Sequence, residues 1–100
     1  MTKPEEIMQA AVAVIRSGRS IFTRKDVRDE IGVSSHVWLY SYTAIFQAMR
    51  MDHPGGAPEI NARFKNVFKR VERGKFMLTP YGMRLAEELG LKYQIKPTEK

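Results

Sequence analysis

Residues 61–75 read NARFKNVFKRVERGK and residues 76–82 continue FMLTPYG, a stretch that predicts a β-hairpin and holds most of the net charge. Residues 61–75 contain six basic side chains and one acid, a net charge of +5 out of +6 for the chain. The β-prone runs near Phe68 and at 76–78 flank a predicted three-residue hairpin loop, Glu72-Arg73-Gly74, in which Gly74 supplies a positive φ. A basic hairpin on an otherwise balanced protein predicts contact with a polyanion; the common alternative is a solvated charged surface.

The apolar spacing before the hairpin predicts three helices. The first begins at Pro4, followed by two acids that suit a helix N-terminus, and ends at Gly18. Residues 20–22 are a short β-prone run, long enough for one edge pairing. The second helix begins with a capping box from Thr23 to Asp26 and ends at Gly32, which can take the left-handed conformation.

A third helix, capped by Ser34 or Ser35, is predicted to run without interruption to about residue 50. Its apolar positions recur at intervals of four, three and four residues, at Trp38, Tyr42, Ile45 and Met49. Its opposite face carries Tyr40, Ser41, Thr43, Ala44, Gln47 and Arg50. Residues 52–58 contain two prolines and two glycines and predict a loop. Residues 57–67 fit either a short helix or extended chain.

A final helix is predicted from Thr79-Pro80, with Leu85 and Leu89 on its apolar face and Gly90 at its end. One hundred residues are enough for one domain with a single core. We therefore assign residues 1–90 to one domain and residues 91–100 to a loosely ordered C-terminal tail.

Composition and motifs favour a protein without catalytic, metal or cofactor sites. The chain has no cysteine, and His36 and His53 stand seventeen positions apart without further ligands at suitable spacing. No nucleotide-binding or nucleophile motif occurs. The longest apolar run, residues 10–15, is too short to cross a bilayer, and the N-terminus lacks a signal pattern. We expect a soluble, cytoplasmic protein, nucleoid-associated if it is prokaryotic, with no membrane partner.

The order helix, short strand, helix, turn, helix, β-hairpin, helix resembles the winged helix-turn-helix superfamily. VRDEIGVS at 27–34 resembles its second helix and turn, and RGKFMLTPYG at 73–82 with RLAEEL at 84–89 resembles the second wing strand and following helix of many bacterial and archaeal regulators. Residues 5–82 also resemble, more loosely, the winged-helix domain of Asx-like chromatin proteins and some restriction endonucleases. The resemblance implies an α+β, mainly α fold: a three-helix core, a β-hairpin wing and a C-terminal helix.

This resemblance, together with the charge pattern, predicts binding to double-stranded DNA. We expect the cations of the hairpin to contact DNA phosphates and the polar side chains of the third helix to contact base edges in the major groove. The start of the second helix is also expected to contact phosphate. The third helix has no Arg or Lys before Arg50. We therefore expect the wing to contribute more to affinity, through phosphates, than to sequence-specific contacts with bases. The candidate DNA-binding residues are Arg24, Lys25, Ser35, Tyr40, Ser41, Thr43, Gln47, Arg50, Lys69, Arg70, Arg73 and Lys75.

Three functions fit these observations. The leading one is non-enzymatic DNA binding by a small transcription regulator or chromatin-associated protein. A second is a winged-helix module for protein–protein contacts, which the uncharged third helix suits. A third is an accessory domain of a nucleic-acid enzyme whose catalytic part lies elsewhere. The C-terminal helix can pair two copies into a homodimer or cap its own core.

Overall fold

The computed structural model describes residues 2–51 and 60–91, which form an α+β, mainly helical structure. The order is α1 (Lys3–Arg16), α2 (Arg24–Ile31), α3 (Ser35–Ser41), α4 (Thr43–Ala48), a 3-10 helix (Ala62–Phe64), β1 (Phe68–Glu72), β2 (Lys75–Leu78) and α5 (Pro80–Glu88). The predicted loop at 52–58 and the tail beyond Leu91 lie outside the described residues. No helix in the described part is long and apolar enough to span a membrane.

The predicted helix boundaries are confirmed where capping residues set them. Thr23 and Asp26 form the capping box: the Asp26 N–H donates to Thr23 Oγ1 over 3.1 Å and the Thr23 N–H to Asp26 Oδ2 over 2.9 Å. Gly32 caps the end of α2 with a φ of 92°. Ser34, rather than Ser35, caps α3 by accepting from the Val37 N–H over 3.1 Å. These local signals position α2 and α3 on either side of a short turn.

The prediction of one uninterrupted third helix is wrong, because the segment divides into α3 and α4 at Tyr42. The Tyr42 backbone has φ −122° and ψ −28°, outside the helical region. Beside it, Thr43 Oγ1 donates to the Trp38 carbonyl over 3.2 Å. A threonine hydroxyl that takes a nearby carbonyl competes with the helix ladder and bends the chain.

Tyr42 fastens this bend to α1. Its hydroxyl donates to Glu6 Oε1 over 2.6 Å, and its ring stacks parallel to Trp38 with centroids 5.6 Å apart. The hydrogen bond to Glu6, aided by burial, raises the pKa of the Tyr42 hydroxyl above its ordinary value. The bend is therefore tied to the N-terminal half of α1, against which α4 packs.

The predicted hairpin is present, with β1 and β2 antiparallel and Phe68 opposite Leu78, Lys69 opposite Met77 and Arg70 opposite Phe76. Gly74 has the expected positive φ, 76°. The loop boundary differs by one residue, since Glu72 belongs to β1 and pairs with Lys75. Their side chains form an ion pair of 3.0 Å across the strands, and a register shift leaves Val71 as the extra residue.

The core gathers apolar side chains from every helix and both strands. Trp38, Tyr42 and Met49 are buried as predicted, whereas Ile45 is only partly buried. The sequence did not decide between a short helix and extended chain for residues 57–67. Of these, the described residues 60–67 contain the 3-10 helix Ala62–Phe64, and β1 begins at Phe68, as predicted. The largest fully buried side chains are Phe22, Phe46, Phe68, Phe76, Ile7, Met8, Met49, Leu78, Val27 and Val67.

The start of α5 closes the fold behind the hairpin. Thr79 caps the helix by accepting from the Gly82 N–H over 2.9 Å, and its hydroxyl donates to the Asn66 carbonyl over 2.7 Å. Gly82 lies against the Val67 carbonyl so closely that a Cβ atom there would overlap it. The glycine therefore lets α5 approach the chain that enters β1.

Replacing Gly82 with alanine should destabilise the protein by about 1–3 kcal/mol, because the added methyl has no room beside the Val67 carbonyl. In an unobstructed helix the same change gains up to about 1 kcal/mol. Urea denaturation measures the difference, with Arg84→Ala on the exposed face of α5 as the control. Equal or greater stability of Gly82→Ala would show that the close approach is absent.

Replacing Tyr42 with phenylalanine should cost about 1 kcal/mol at pH 8, because the change leaves the Glu6 carboxylate without its donor. The raised pKa means that folded Tyr42 holds its proton more tightly than the unfolded chain does. The stabilisation is therefore complete below the unfolded value of about 10 and disappears as pH rises through the higher folded pKa.

Urea denaturation at pH 8 and pH 11 should show that the stability difference between the wild type and Tyr42→Phe shrinks at the higher pH. Tyr40→Phe, at an exposed tyrosine, serves as the control and should change little at either pH. A difference that stays constant or grows would exclude the Tyr42–Glu6 hydrogen bond as its source.

Candidate functional site

The hairpin is attached to the helical core along both of its edges. On the β2 edge, the backbones of Phe22 and Phe76 exchange hydrogen bonds of 2.9 and 2.8 Å, which is the single edge pairing expected for residues 20–22. On the β1 edge, the Met51 N–H donates to the Phe68 carbonyl over 2.8 Å, and the Val67 N–H donates to Met49 over 2.9 Å. The residues just after α4 and just before α2 thus fix the base of the hairpin.

Aromatic rings fill the space between the hairpin and the helices. Phe46 of α4 packs on Phe68 and on Phe76, with both centroid distances at 5.1 Å. Phe22 meets Phe68 edge-on at 5.4 Å. Trp38 of α3 joins the group through Phe46 at 6.1 Å. Aromatic pairs at these separations contribute beyond their buried area, so the hairpin base is a rigid part of the core.

Beyond this base the hairpin presents cations to solvent. Lys69, Arg70, Arg73 and Lys75 are exposed. Lys75 is paired with Glu72 at 3.0 Å. Within residues 2–51 and 60–91, no acid lies in ion-pair range of Lys69, Arg70 or Arg73. Three of the four predicted hairpin residues therefore carry charge that no described acid offsets. We name residues 68–78 the cationic hairpin.

Two arginines from outside the hairpin also reach it: Arg24 in the first turn of α2 and Arg50 just after the end of α4. The guanidinium carbon of Arg24 lies 5.9 Å from the centroid of the Phe76 ring, and that of Arg50 lies 5.1 Å from it. Arg70 stands directly opposite Phe76 in the strand register, so the two side chains start from the same face of the sheet. Sequence positions 24 and 50 thus lie near one ring, a convergence that no sequence pattern indicated.

Lys25, predicted with Arg24 as a contact at the start of α2, is exposed but already paired. Its Nζ lies 2.8 Å from Asp29 Oδ2, one turn along the helix. The hydrogen bond from Lys25 lowers the pKa of the Asp29 carboxyl, with a smaller contribution from Arg28. A phosphate at this position would have to compete with Asp29 for the ammonium group.

The bend at Tyr42 divides the candidate residues of the predicted third helix into two groups. Ser35 and Tyr40 lie exposed on α3, and the His36 ring rests on that of Tyr40 at 4.8 Å. Ser41, Thr43 and Gln47 are half-buried. The hydroxyl of Thr43 is engaged by the Trp38 carbonyl, which leaves it less suited to read a base. The polar side chains predicted to share one face of a single helix therefore lie on two helices, α3 and α4, and differ in exposure.

Sequence reasoning missed that apolar side chains of α3 are exposed. Leu39 and Val37 are 60% and 40% exposed, and Tyr40 beside them is 74% exposed. No charged residue occurs between Ile31 and Met49, which was the available signal. It also missed Phe46, whose place one turn after the predicted core residue Tyr42 could have revealed it.

Among the residues that the structure describes, no three of the histidine, cysteine, aspartate and glutamate side chains come together as metal ligands would. His53, considered for such a site in the sequence, lies outside the described residues. No protein-family model matches the chain, and no curated protein or solved structure matches it.

The rigid base predicts a strong contrast between two aromatic residues of neighbouring helices. Phe46→Ala should destabilise the protein by about 3–5 kcal/mol, because the ring fills the space between α4 and both strands. Tyr40→Ala should change stability by less than about 0.5 kcal/mol. Thermal denaturation checks both, and a comparable loss in Tyr40→Ala would place that ring in the core.

Proposed function

We propose that this chain binds double-stranded DNA without catalysing a reaction, using the cationic hairpin as the wing of a winged helix-turn-helix. The observation that carries the proposal is the exposed charge of Lys69, Arg70 and Arg73 on a hairpin whose base is fixed in the core. Phosphate contacts supply much of the affinity of DNA-binding proteins, and a rigid cationic projection can make several of them at once.

The element order supports the winged-helix interpretation. Helix α2, a short turn and α3 precede a two-stranded hairpin and a final helix, as that arrangement requires. The absence of charge on α3 favours a weak reading of base sequence and a larger share for phosphate contacts. A small transcription regulator or a chromatin-associated protein of the cytoplasm or nucleoid fits this balance.

A second candidate is a module for protein–protein contacts. The exposed side chains of Val37, Leu39 and Tyr40 on α3 favour it, since exposed apolar and aromatic side chains are enriched in such interfaces. A homodimer through α5 is a further proposal. Leu85 is buried and Leu89 and Leu91 are partly buried against the chain's own core, so pairing would rely on what those last two leave uncovered.

Neutralising Lys69, Arg70 and Arg73 together to glutamine should weaken duplex binding and flatten its salt dependence. The logarithm of the affinity falls with the logarithm of salt concentration by about 0.9 for each phosphate contact, so the slope should lose up to about 2.7. Fluorescence anisotropy with a labelled duplex at several salt concentrations measures both quantities.

A triple variant at Arg16, Arg28 and Arg84, changed to glutamine on α1, α2 and α5, loses the same charge away from the hairpin. It should keep most of the slope and affinity. Equal losses in the two triple variants would mean that net charge, not the hairpin, drives binding. Absence of duplex binding by the wild type in low salt would favour the protein-contact function.

A further inference from the structure

The side of α3 that points away from the core carries apolar and aromatic side chains. Val37, Leu39 and Tyr40 are exposed, whereas Trp38 and Tyr42 are buried. Successive residues are about 100° apart around an α-helix, which places Tyr40 between Val37 and Leu39 and roughly opposite Trp38. The outward side of α3 therefore presents two aliphatic side chains and one ring to solvent.

Aromatic contacts join α3 to the base of the cationic hairpin. Trp38 packs on Phe46 at 6.1 Å, and Phe46 packs on Phe68 and Phe76 of the two strands, both at 5.1 Å. The helix and the hairpin are thus parts of one packed unit. In the proposed winged helix-turn-helix, α3 follows the turn after α2 and is the helix that enters the major groove.

The exposed side chains of α3 match one particular group in that groove. No Arg, Lys, Asp or Glu occurs from Gly32 to Met49, so α3 lacks the cations that read guanine and the acids that accept from cytosine. It also carries no acid that would repel the phosphates on either side. The thymine C5-methyl is the apolar group that base pairs present in the major groove. Apolar side chains on α3 are therefore complementary to thymine.

The small extent of these side chains favours DNA over a protein partner at α3. Each partner in a standard protein interface buries about 800 Å² from roughly 20–30 residues. The exposed side chains Val37, Leu39 and Tyr40 lie on a helix of only seven residues. A methyl group, in contrast, is small enough for one side chain to cover.

We propose that Val37, Leu39 and Tyr40 cover thymine methyl groups in the major groove, and that the chain therefore prefers duplexes rich in A·T pairs. The hairpin supplies affinity through phosphates at any sequence, and α3 adds a preference without a strict target sequence. This inference rests on the proposed DNA binding and names the class of duplex that it favours.

A duplex in which uracil replaces thymine tests the proposal, because the exchange removes the methyl groups and keeps base pairing and charge. The wild type should bind an A·T-rich duplex at least about fourfold more tightly than its uracil counterpart, the effect of one buried methyl. The salt slope should be the same for both duplexes, since the phosphate contacts are unchanged. Fluorescence anisotropy measures both quantities.

The variant Val37→Ala/Leu39→Ala should bind the two duplexes with nearly equal affinity. Both positions are exposed and alanine favours a helix, so the fold should be kept. The matched control is Ile21→Ala/Met51→Ala, which shortens two side chains that are 40% and 55% exposed outside α3. It should keep the thymine preference of the wild type.

The possible outcomes separate this inference from the proposed function. A wild type that binds both duplexes equally well overturns the thymine contact and leaves the hairpin as the DNA-binding element. A preference that persists in Val37→Ala/Leu39→Ala arises from the shape of the duplex and also overturns the contact. If the wild type binds neither duplex in low salt, the proposed function fails and the inference fails with it.

A measurement on the unmodified protein locates the contact directly. In a complex with the thymine duplex, nuclear Overhauser effects should connect the methyl protons of Val37 and Leu39 with thymine methyl protons. The amides of residues 37–40 should then shift together with those of the hairpin. A saturated complex in which neither aliphatic side chain shows such an effect would contradict the proposal.

Discussion

The packing of Phe76 against Phe46 is the contact on which the rest of the structure depends. Through it the hairpin becomes part of the core and not a loosely attached loop, because an isolated two-stranded hairpin is marginal in water. The backbone of the same residue pairs with Phe22, which places the first turn of α2 beside β2. Arg24 at the start of α2 and Arg50 just after α4 lie near its ring. One buried ring thus connects the fold with the charged surface.

Much of the fold could be predicted because its signals are local. The capping box at Thr23, the left-handed Gly32 and the turn at Gly74 act within a few residues, and each is confirmed. The bend at Tyr42 was not predicted, because the apolar spacing of a helix continues through it. The Thr43 hydroxyl takes the Trp38 carbonyl there, and Glu6, which holds Tyr42 in place, is thirty-six residues away in the chain. The inclusion of Glu72 in β1 has a local cause: it pairs across the strands with Lys75, three residues along the chain, and leaves Val71 as the extra residue.

The candidate site was predictable in part. Charge density alone identified Lys69, Arg70 and Arg73, because exposed cations do not require knowledge of packing. Nothing in the spacing of positions 24 and 50 indicates that both lie near Phe76; only tertiary structure brings them there. The third-helix residues were the least predictable, since the bend changed which side chains face solvent. Their roles in reading bases stay predictions.

We propose that the cationic hairpin, with the start of α2 and the end of α4 beside it, binds duplex DNA. Backbone amide shifts of the 15N-labelled protein, followed while a duplex is added in low salt, test it most directly. If the hairpin binds the duplex, shifts should concentrate at residues 68–76, at the start of α2 and at the end of α4, while α1 and the end of α5 stay unchanged. Shifts centred on α1 and α5, or no shifts at all, would contradict it.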